Sequence, residues 1–376
     1  GYDVAGTRVA TYRRGAVSLP DDVSDAPLAS ELGCERARNY LAEFSERMLR
    51  PGDKAEIAAE AGGIKPYMDV VLGRSRRCYV EFIRDLDRRG LLNWLTDPLA
   101  ECTAFFVDKK DGTLRMIIDC RRANVFFDDP PGVSMCSAEG LSRIELGEDW
   151  NDGFDVWGGV ADVKDCFYRM KIKPAMSRYF ALPPITRREA GLGPEDTLVW
   201  PALAVLPMGF SWSLFLAQMI NETVVTDTPV MAQAQKLVDR GEPCVLGGDG
   251  GDWRRSFYVY VDNLGIIGLC EKAVRSSLEH CVAGFERRGL KMHEVEVSKK
   301  NLDVLGVELR LEERSTRLSD KRYWRLAVGL GHLLRLRSVS GEMVECILGH
   351  CTAAGMVCRE TICVFHAAYR FARAHR

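Results

Sequence analysis

Phe257 to Gly268 reads Phe-Tyr-Val-Tyr-Val-Asp-Asn-Leu-Gly-Ile-Ile-Gly. Two short runs of Val, Ile and aromatics flank the pair Asp262-Asn263. β-Branched and aromatic side chains favour strands. Asp and Asn tolerate the conformations that a two-residue hairpin turn demands. The stretch predicts a β-hairpin with a carboxylate at its tip. At an exposed turn such a carboxylate is ordinary. Held between two buried strands, it is placed rigidly enough to bind a metal, and three other stretches bear on that choice.

The chain has 376 residues, 47% hydrophobic and 28% charged, which suits a folded protein with more than one domain. Its net charge is −2, from 51 basic and 53 acidic residues. That lacks the basic excess of a typical nucleic-acid binder, so any such surface must be a local patch. Thirteen cysteines without a Cys-x-x-Cys pair point to reduced thiols in an intracellular, unsecreted protein. Gly1 to Ala16 has no apolar core and so is no signal peptide; the missing initial Met suggests a fragment. Leu198 to Ile220 carries no charge and is long enough to cross a bilayer. Pro201, Pro207 and Gly209 interrupt it, however, so strand, turn and buried helix is the better reading, and no membrane partner is expected. Asn221-Glu222-Thr223 fits a glycosylation acceptor that would be idle inside a cell.

Along the chain, residues 1–34 form a lead-in with no assigned role. Glu35 to Arg50 and Tyr79 to Leu95 carry helical apolar stripes. Arg74, Arg76, Arg77, Arg84, Arg88 and Arg89 crowd the second, either as a solvated face or as a phosphate-facing patch. Ala104 to Asn124 reads as a hairpin turning at Asp111-Gly112, with Lys109, Lys110 and Arg115 near its tip. These could close on a polyphosphate or simply favour solubility. Residues 125–156 read as loop plus a short helix, with an acidic run from Glu145 to Asp155. Val156 onward is a strand ending at Asp162, followed by Asp165, Phe167 and Tyr168. Arg178 to Ile185 reads as a strand and Thr186 to Asp196 as a charged loop. Val205 to Ser213 is a strand-to-helix turn in which Gly209 permits close approach. Gly247 to Asp252 reads as a hairpin tip within a long connection, since a lone calcium-type repeat does not function alone. Glu271 to Gly289 is a helix ending at Gly289, Leu302 to Leu311 alternates like one strand, and from Ser319 the chain is helical. Cys346/His350 and Cys363/His366 have ligand-like spacing but read better as small buried residues.

Asp162 and Asp262, each at a strand end, bracket Leu206-Pro207-Met208-Gly209, and the Lys109–Asn124 hairpin precedes both. This ordered set resembles the reverse transcriptases of retroelements. The resemblance spans roughly residues 75–330. Phe106-Val107-Asp108-Lys109-Lys110-Asp111-Gly112, with Arg115 and Asp119 to Asn124, is similar to the fingers hairpin. Asp162-Val163-Lys164-Asp165-Cys166-Phe167 is similar to the first catalytic motif, and Pro207-Met208-Gly209 to the Pro-x-Gly motif. Tyr260-Val261-Asp262-Asn263 resembles the Tyr-x-Asp-Asp box, and Leu305-Gly306 the primer grip.

The resemblance implies an α+β fold of right-hand polymerase type, with fingers, a palm whose small antiparallel sheet is backed by helices, and a helical thumb. It implies a helical N-terminal extension over 35–100, fingers over 101–155 and 175–205, palm over 156–174 and 206–312, and thumb with the start of a connection over 313–376. It further implies an RNA-directed DNA polymerase taking deoxynucleoside triphosphates and an RNA or DNA template-primer. Two Mg²⁺ (or Mn²⁺) ions would be bridged by Asp162 and Asp262 with the Val163 carbonyl assisting, and Asn263 would complete the catalytic set. Lys109, or Lys110 in its place, and Arg115 would hold the β- and γ-phosphates. The backbone at Asp165 and Cys166 would cradle the triphosphate, and Phe167 would exclude a 2′-hydroxyl. Met208 and Gly209 would border the nascent base pair. Arg121 and Asn124 would lie near the template, with Tyr260, Leu305 and Gly306 on the template-primer. Three departures stand out. Asn263 replaces the second Asp of the box, Met208 stands where many relatives have Gln, and His293 lies near the place of an expected lysine. No ribonuclease H pattern follows residue 330. Two other readings remain: a degenerate relative that binds nucleic acid or acts as a scaffold, and a metal-dependent phosphodiesterase using the same two Asp, in which the basic hairpin has no role.

Overall fold

Tyr260 and Asn263 are partners across the central hairpin, so its two turn residues are Val261 and Asp262. The sequence pattern centres the turn one residue later. Asn263 is instead the first residue of a strand, because it pairs on its other side with Asp162. The computed structural model describes residues 9–147, 155–247 and 255–375 and divides into two compact units. It is an α+β fold of small, mostly antiparallel sheets and helices.

One unit comprises Ser134–Asp162, Thr226–Ala283 and His293–Arg376. Its centre is a five-stranded sheet in the order Met292–Ser298, Trp157–Val163, Asn263–Gly268, Ser256–Tyr260, Gln235–Lys236. Successive residues of a strand face opposite ways, and Gly158-Gly159 uses both faces. A Cβ at Gly159 would lie 3.1 Å from Val274 and 3.3 Å from Leu278 of the helix Glu271–Arg287. A Cβ at Gly158 would lie 2.5 Å from Leu302. The two glycines therefore let a helix close on one face and a second sheet on the other. That second sheet is the antiparallel set Asn301–Val304, Val307–Arg310, Ser315–Leu318. Its Leu302, Val304, Leu309 and Leu311 share one buried core with Tyr258, Ile267 and Leu246. The helices Asp320–Leu333 and Gly341–Gly355 follow, and Arg359 beyond them pairs with the buried Glu139.

The other unit comprises Gly1–Val133, Val163–Val225 and Gly284–Met292. It carries two antiparallel sheets: Val9–Ala10, Thr103–Asp108, Leu114–Asp119, and Leu92–Leu95, Leu198–Leu203, Ile185–Thr186. The helix Arg76–Arg88 buries Tyr79, Phe82, Ile83 and Leu86, a 3.6-residue stripe, and Ser75 caps it. Phe127, Phe180 and Phe210 pack edge-on and stacked, with ring centroids 4.7–6.1 Å apart, and so tie the turn before helix Ser213–Thr226 into the core.

Several sequence expectations are corrected. Glu35 to Arg50 is broken at Glu43 into Glu35–Ala42 and Phe44–Arg47. Tyr79 to Leu95 stops as a helix at Arg88, and Leu92–Leu95 is a strand held by Leu198–Leu203; tertiary pairing overrides local periodicity there. Arg178 to Ile185 is mostly irregular, with only Ile185–Thr186 in a strand. Thr186 to Asp196 contains a short helix, Arg187–Ala190, started by a Thr186/Glu189 capping box. Leu302 to Leu311 is a hairpin, not one strand. Cys346 and Cys363 are exposed, not buried. Most of the acidic run from Glu145 to Asp155, and of the expected tip from Gly247 to Asp252, lies outside the described residues. Leu198 to Ile220 is strand, turn and helix as the sequence indicates, and no described helix is long and apolar enough to cross a membrane. Asn221 is fully buried, which closes its acceptor pattern to glycosylation. None of the thirteen cysteines forms a disulfide.

Candidate functional site

Val261, at the first turn position, has φ 55°. A two-residue turn of this kind normally has Gly there. A β-branched residue in the left-handed region costs on the order of 1–3 kcal/mol. The ladder either side of the turn holds it, with Tyr260 opposite Asn263 and Val259 opposite Leu264. The result is a fixed backbone at Asp262. Asp162, next to last in Trp157–Val163, is the cross-strand partner of Asn263. Asn263 donates from Nδ2 to Asp262 Oδ1 at 2.9 Å.

Burial, and then the charge of Asp262, pushes the Asp162 carboxyl up to about 6, while His293 opposes the rise. His293 Nε2 lies 2.8 Å from Asp162 Oδ1. Two mutually repelling carboxylates therefore sit at one strand end, with an imidazole on one of them. Sequence reading notes His293 but not its partner; only the pairing of Met292–Ser298 with Trp157–Val163 brings them together. Burial also raises the Tyr260 phenol, with help from Asp239 and Asp262.

Among the described residues no group of three or more His, Cys, Asp or Glu could hold a metal ion. Asp162, Asp262 and the Asn263 amide oxygen are nevertheless hard oxygen donors. Mg²⁺ typically takes one or two carboxylates and completes its shell with water and substrate oxygens, so this donor set fits it. A cation would also offset both the burial and the Asp262 charge that raise Asp162.

In the same unit, Leu305 and Gly306 form a two-residue turn with φ 48° and 84° between partners Val304 and Val307. A side chain at Gly306 would meet the Arg322 guanidinium at 2.3 Å.

The remaining candidates lie in the other unit. The hairpin from Thr103 to Asp119 turns where the sequence indicates. Lys109 Nζ donates to Ser18 Oγ at 3.1 Å and lies 3.4 Å from Asp111, while Lys110 is exposed. Arg115 sits opposite Val107. Asp165, at φ 56°, opens the turn Cys166–Arg169. Burial pushes the Tyr168 phenol up, Asp165 adds to the rise and Arg115 opposes it, so Arg115 and Asp165 share one local field. Cys166 and Phe167 are buried. Met208 accepts from Ile118 N–H at 2.9 Å. Gly209 has φ 131°, and a Cβ there would fall 2.0 Å from the Ile118 carbonyl oxygen. Asn124 braces this turn from both sides: Nδ2 donates to the Gly209 carbonyl at 3.1 Å, and Oδ1 accepts from Ser211 N–H at 3.1 Å. Arg121 is held by Asp119 and the Lys65 carbonyl. Arg121 and Asn124 thus spend much of their hydrogen bonding inside the protein.

The fold is similar to that of a foamy viral protease-reverse transcriptase. The solved structure is of that protein, dRH, in complex with double-stranded DNA. The TM-score is 0.54 at 14% identity, and the match covers 98% of this chain and 58% of that one. At that identity the likeness concerns the fold alone. No family model and no curated protein matches the sequence.

Proposed function

We propose that the chain carries out template-directed nucleotidyl transfer as an RNA-directed DNA polymerase, with fingers, palm and thumb arranged as a right hand. One observation carries the reading: Asp162 and Asn263 are cross-strand partners with Asp262 at the adjoining turn, in a fold similar to that of a reverse transcriptase. Asp162 and Asp262 would hold Mg²⁺ or Mn²⁺, with Asn263 and the Val163 carbonyl beside them. Bound there, the ions would stabilise the attacking 3′-oxygen and the leaving pyrophosphate. The hairpin residues Lys109, Lys110 and Arg115, and the Asp165-Cys166-Phe167 turn, are assigned to the nucleoside triphosphate. Asn124 fixes the Met208-Gly209 turn assigned to the base pair. Tyr260, Leu305 and Gly306 are assigned to the template-primer.

The test is primer extension on an RNA template with Mg²⁺ or Mn²⁺. The parent should extend and Asp162→Asn should not; a parent inert with both ions refutes the assignment. A second reading, a degenerate nucleic-acid-binding relative, is favoured by Asn263, which adds no charge and spends its amide on Asp262. Activity that emerges only in Asn263→Asp would establish that reading instead.

A further inference from the structure

The arginine-rich helix Arg76–Arg88 is left without a role by this mechanism, yet it forms one wall of a built cleft. The cleft, about 590 Å³, is open to solvent and is also lined by Tyr12, Arg14 and Gly15. Tyr12 anchors that side: its ring packs edge-on to Phe82 at 5.6 Å, and its backbone N–H donates to Asp69. The lining holds four guanidiniums, from Arg14, Arg84, Arg88 and Arg89, against three carboxylates, from Glu81, Asp85 and Asp87.

Those carboxylates are already committed. Asp87 accepts from Trp94 Nε1 at 2.9 Å, Asp85 lies between Arg88 and Arg89 at 3.2 and 3.3 Å, and Glu81 faces Arg14 at 3.3 Å. Arg84 is the exception. It is exposed, its Nε donates to the Glu189 carbonyl at 2.7 Å, and it makes no ion pair among the described residues. Each guanidinium has five N–H donors, and the internal bonds use only some of them. They leave donors for a guest, and Arg89, the least exposed of these arginines, is also tied to the Pro20 carbonyl.

We infer that this cleft binds phosphate groups of a single nucleic-acid strand. Phosphate is one of the two groups whose geometry the guanidinium fork matches in bidentate fashion, and several spaced guanidiniums suit a run of phosphates. Arg84 and Arg88 stand one helical turn apart, about 6 Å along the axis, so they can engage neighbouring phosphates of one backbone. The concave shape, with Arg89 only 26% exposed at its side chain, suits a flexible strand rather than a rigid duplex. Tyr12 packs its ring inward, so the contact reads backbone and not bases. The inference rests on the nucleic-acid part of the proposed function and not on its catalytic part.

The test uses the full chain and a fluorescent oligodeoxythymidine carrying 4-thiothymidine. Affinity is measured across a salt series, and crosslinks are mapped by mass spectrometry. The Arg84→Ala/Arg88→Ala double variant should weaken binding about 10-fold at low salt and flatten the log–log salt slope by about 1.4, since each single-strand phosphate contact contributes roughly 0.7. Arg14→Glu, on an exposed side chain, should act in the same direction and covers the case where the double variant fails to fold. Crosslinks should map to residues 81–89, and inorganic tripolyphosphate should compete weakly. An unchanged slope in the folded variants, or crosslinks confined to other segments, overturns the inference. So does tripolyphosphate that binds the cleft while the strand does not crosslink there. Primer extension is scored separately: crosslinks without extension sink only the polymerase reading, and extension without these crosslinks sinks only this one.

Discussion

Asp162→Asn should make the metal-free chain more stable, not less. The native Asp162 carboxyl stands at about 6, against an ordinary 3.8. A raised folded value means that the native state holds the proton more tightly than the unfolded state. The stability linked to that proton is present below pH ~4 and is lost as pH rises through ~6, where the folded chain carries a half-buried carboxylate beside the charge of Asp262. A shift of about 2 pKa units corresponds to about 3 kcal/mol at most. Asp162 is partly open to solvent, and screening reduces this to about 1–2 kcal/mol. Asparagine keeps the shape and still offers an oxygen to His293, so it removes the charge with little else. The assay is urea denaturation in EDTA at pH 7.5 and at pH 4. The variant should gain about 1–2 kcal/mol at pH 7.5 and nothing at pH 4. A variant that is less stable at pH 7.5, or one whose gain is the same at both pH values, would refute the claim that burial and the charge of Asp262 raise the Asp162 carboxyl.

Gly209→Ala should cost about 3–5 kcal/mol, from a disallowed φ together with displacement of a turn held by Ile118 and Asn124. Gly132→Ala, which meets open space, is the control, and a loss below about 1 kcal/mol for Gly209→Ala would contradict the contact. In Gly265→Ala the new methyl would enter the Tyr258 ring at 2.1 Å. Amide exchange across Ser256–Tyr260 should speed up in that variant, and unchanged protection would count against the packing. Arg76 grips Glu189 through two nitrogens and holds its carboxyl at about 2. That stability is present above pH ~4.5 and fades as pH falls towards ~2. Arg76→Ala should therefore cost about 0.5–1 kcal/mol at pH 7 and low salt, with the difference gone at pH 2 or in 1 M salt.

Local chemistry explains what the sequence reveals. The Asp111-Gly112 hairpin and the Phe257 to Gly268 hairpin are legible because their strands alternate and turn-forming residues punctuate them. Leu302 to Leu311 deceives for a related reason: a two-residue turn preserves period-two alternation, so two short strands look like one. Tyr79 to Leu95 misleads because leucines at helical spacing serve a strand equally well once Leu198–Leu203 is there to pair with them. His293 illustrates the deeper difficulty. Its contact with Asp162 spans 131 positions and depends on which strand lies at the sheet edge, and no local pattern encodes that.

Asn263 shows why the two functional readings are hard to separate by residue type alone. An aspartate there would set a third carboxylate beside Asp162 and Asp262, where burial and then the charge of Asp262 already raise Asp162. It would attract a divalent cation more strongly and would also destabilise the empty site, since both effects arise from the same added negative charge. Asparagine reduces both, and its amide hydrogen clamps Asp262 in one orientation. An asparagine at this position therefore suits both proposed readings, an enzyme that needs less charge at the site and a protein that binds nucleic acid without catalysis. The strained Val261 favours the proposed reading in which Asp262 is held in place for a purpose. A turn freed from positioning Asp262 gains stability by taking Gly or Asn at that position, and this chain keeps a β-branched residue there at φ 55°.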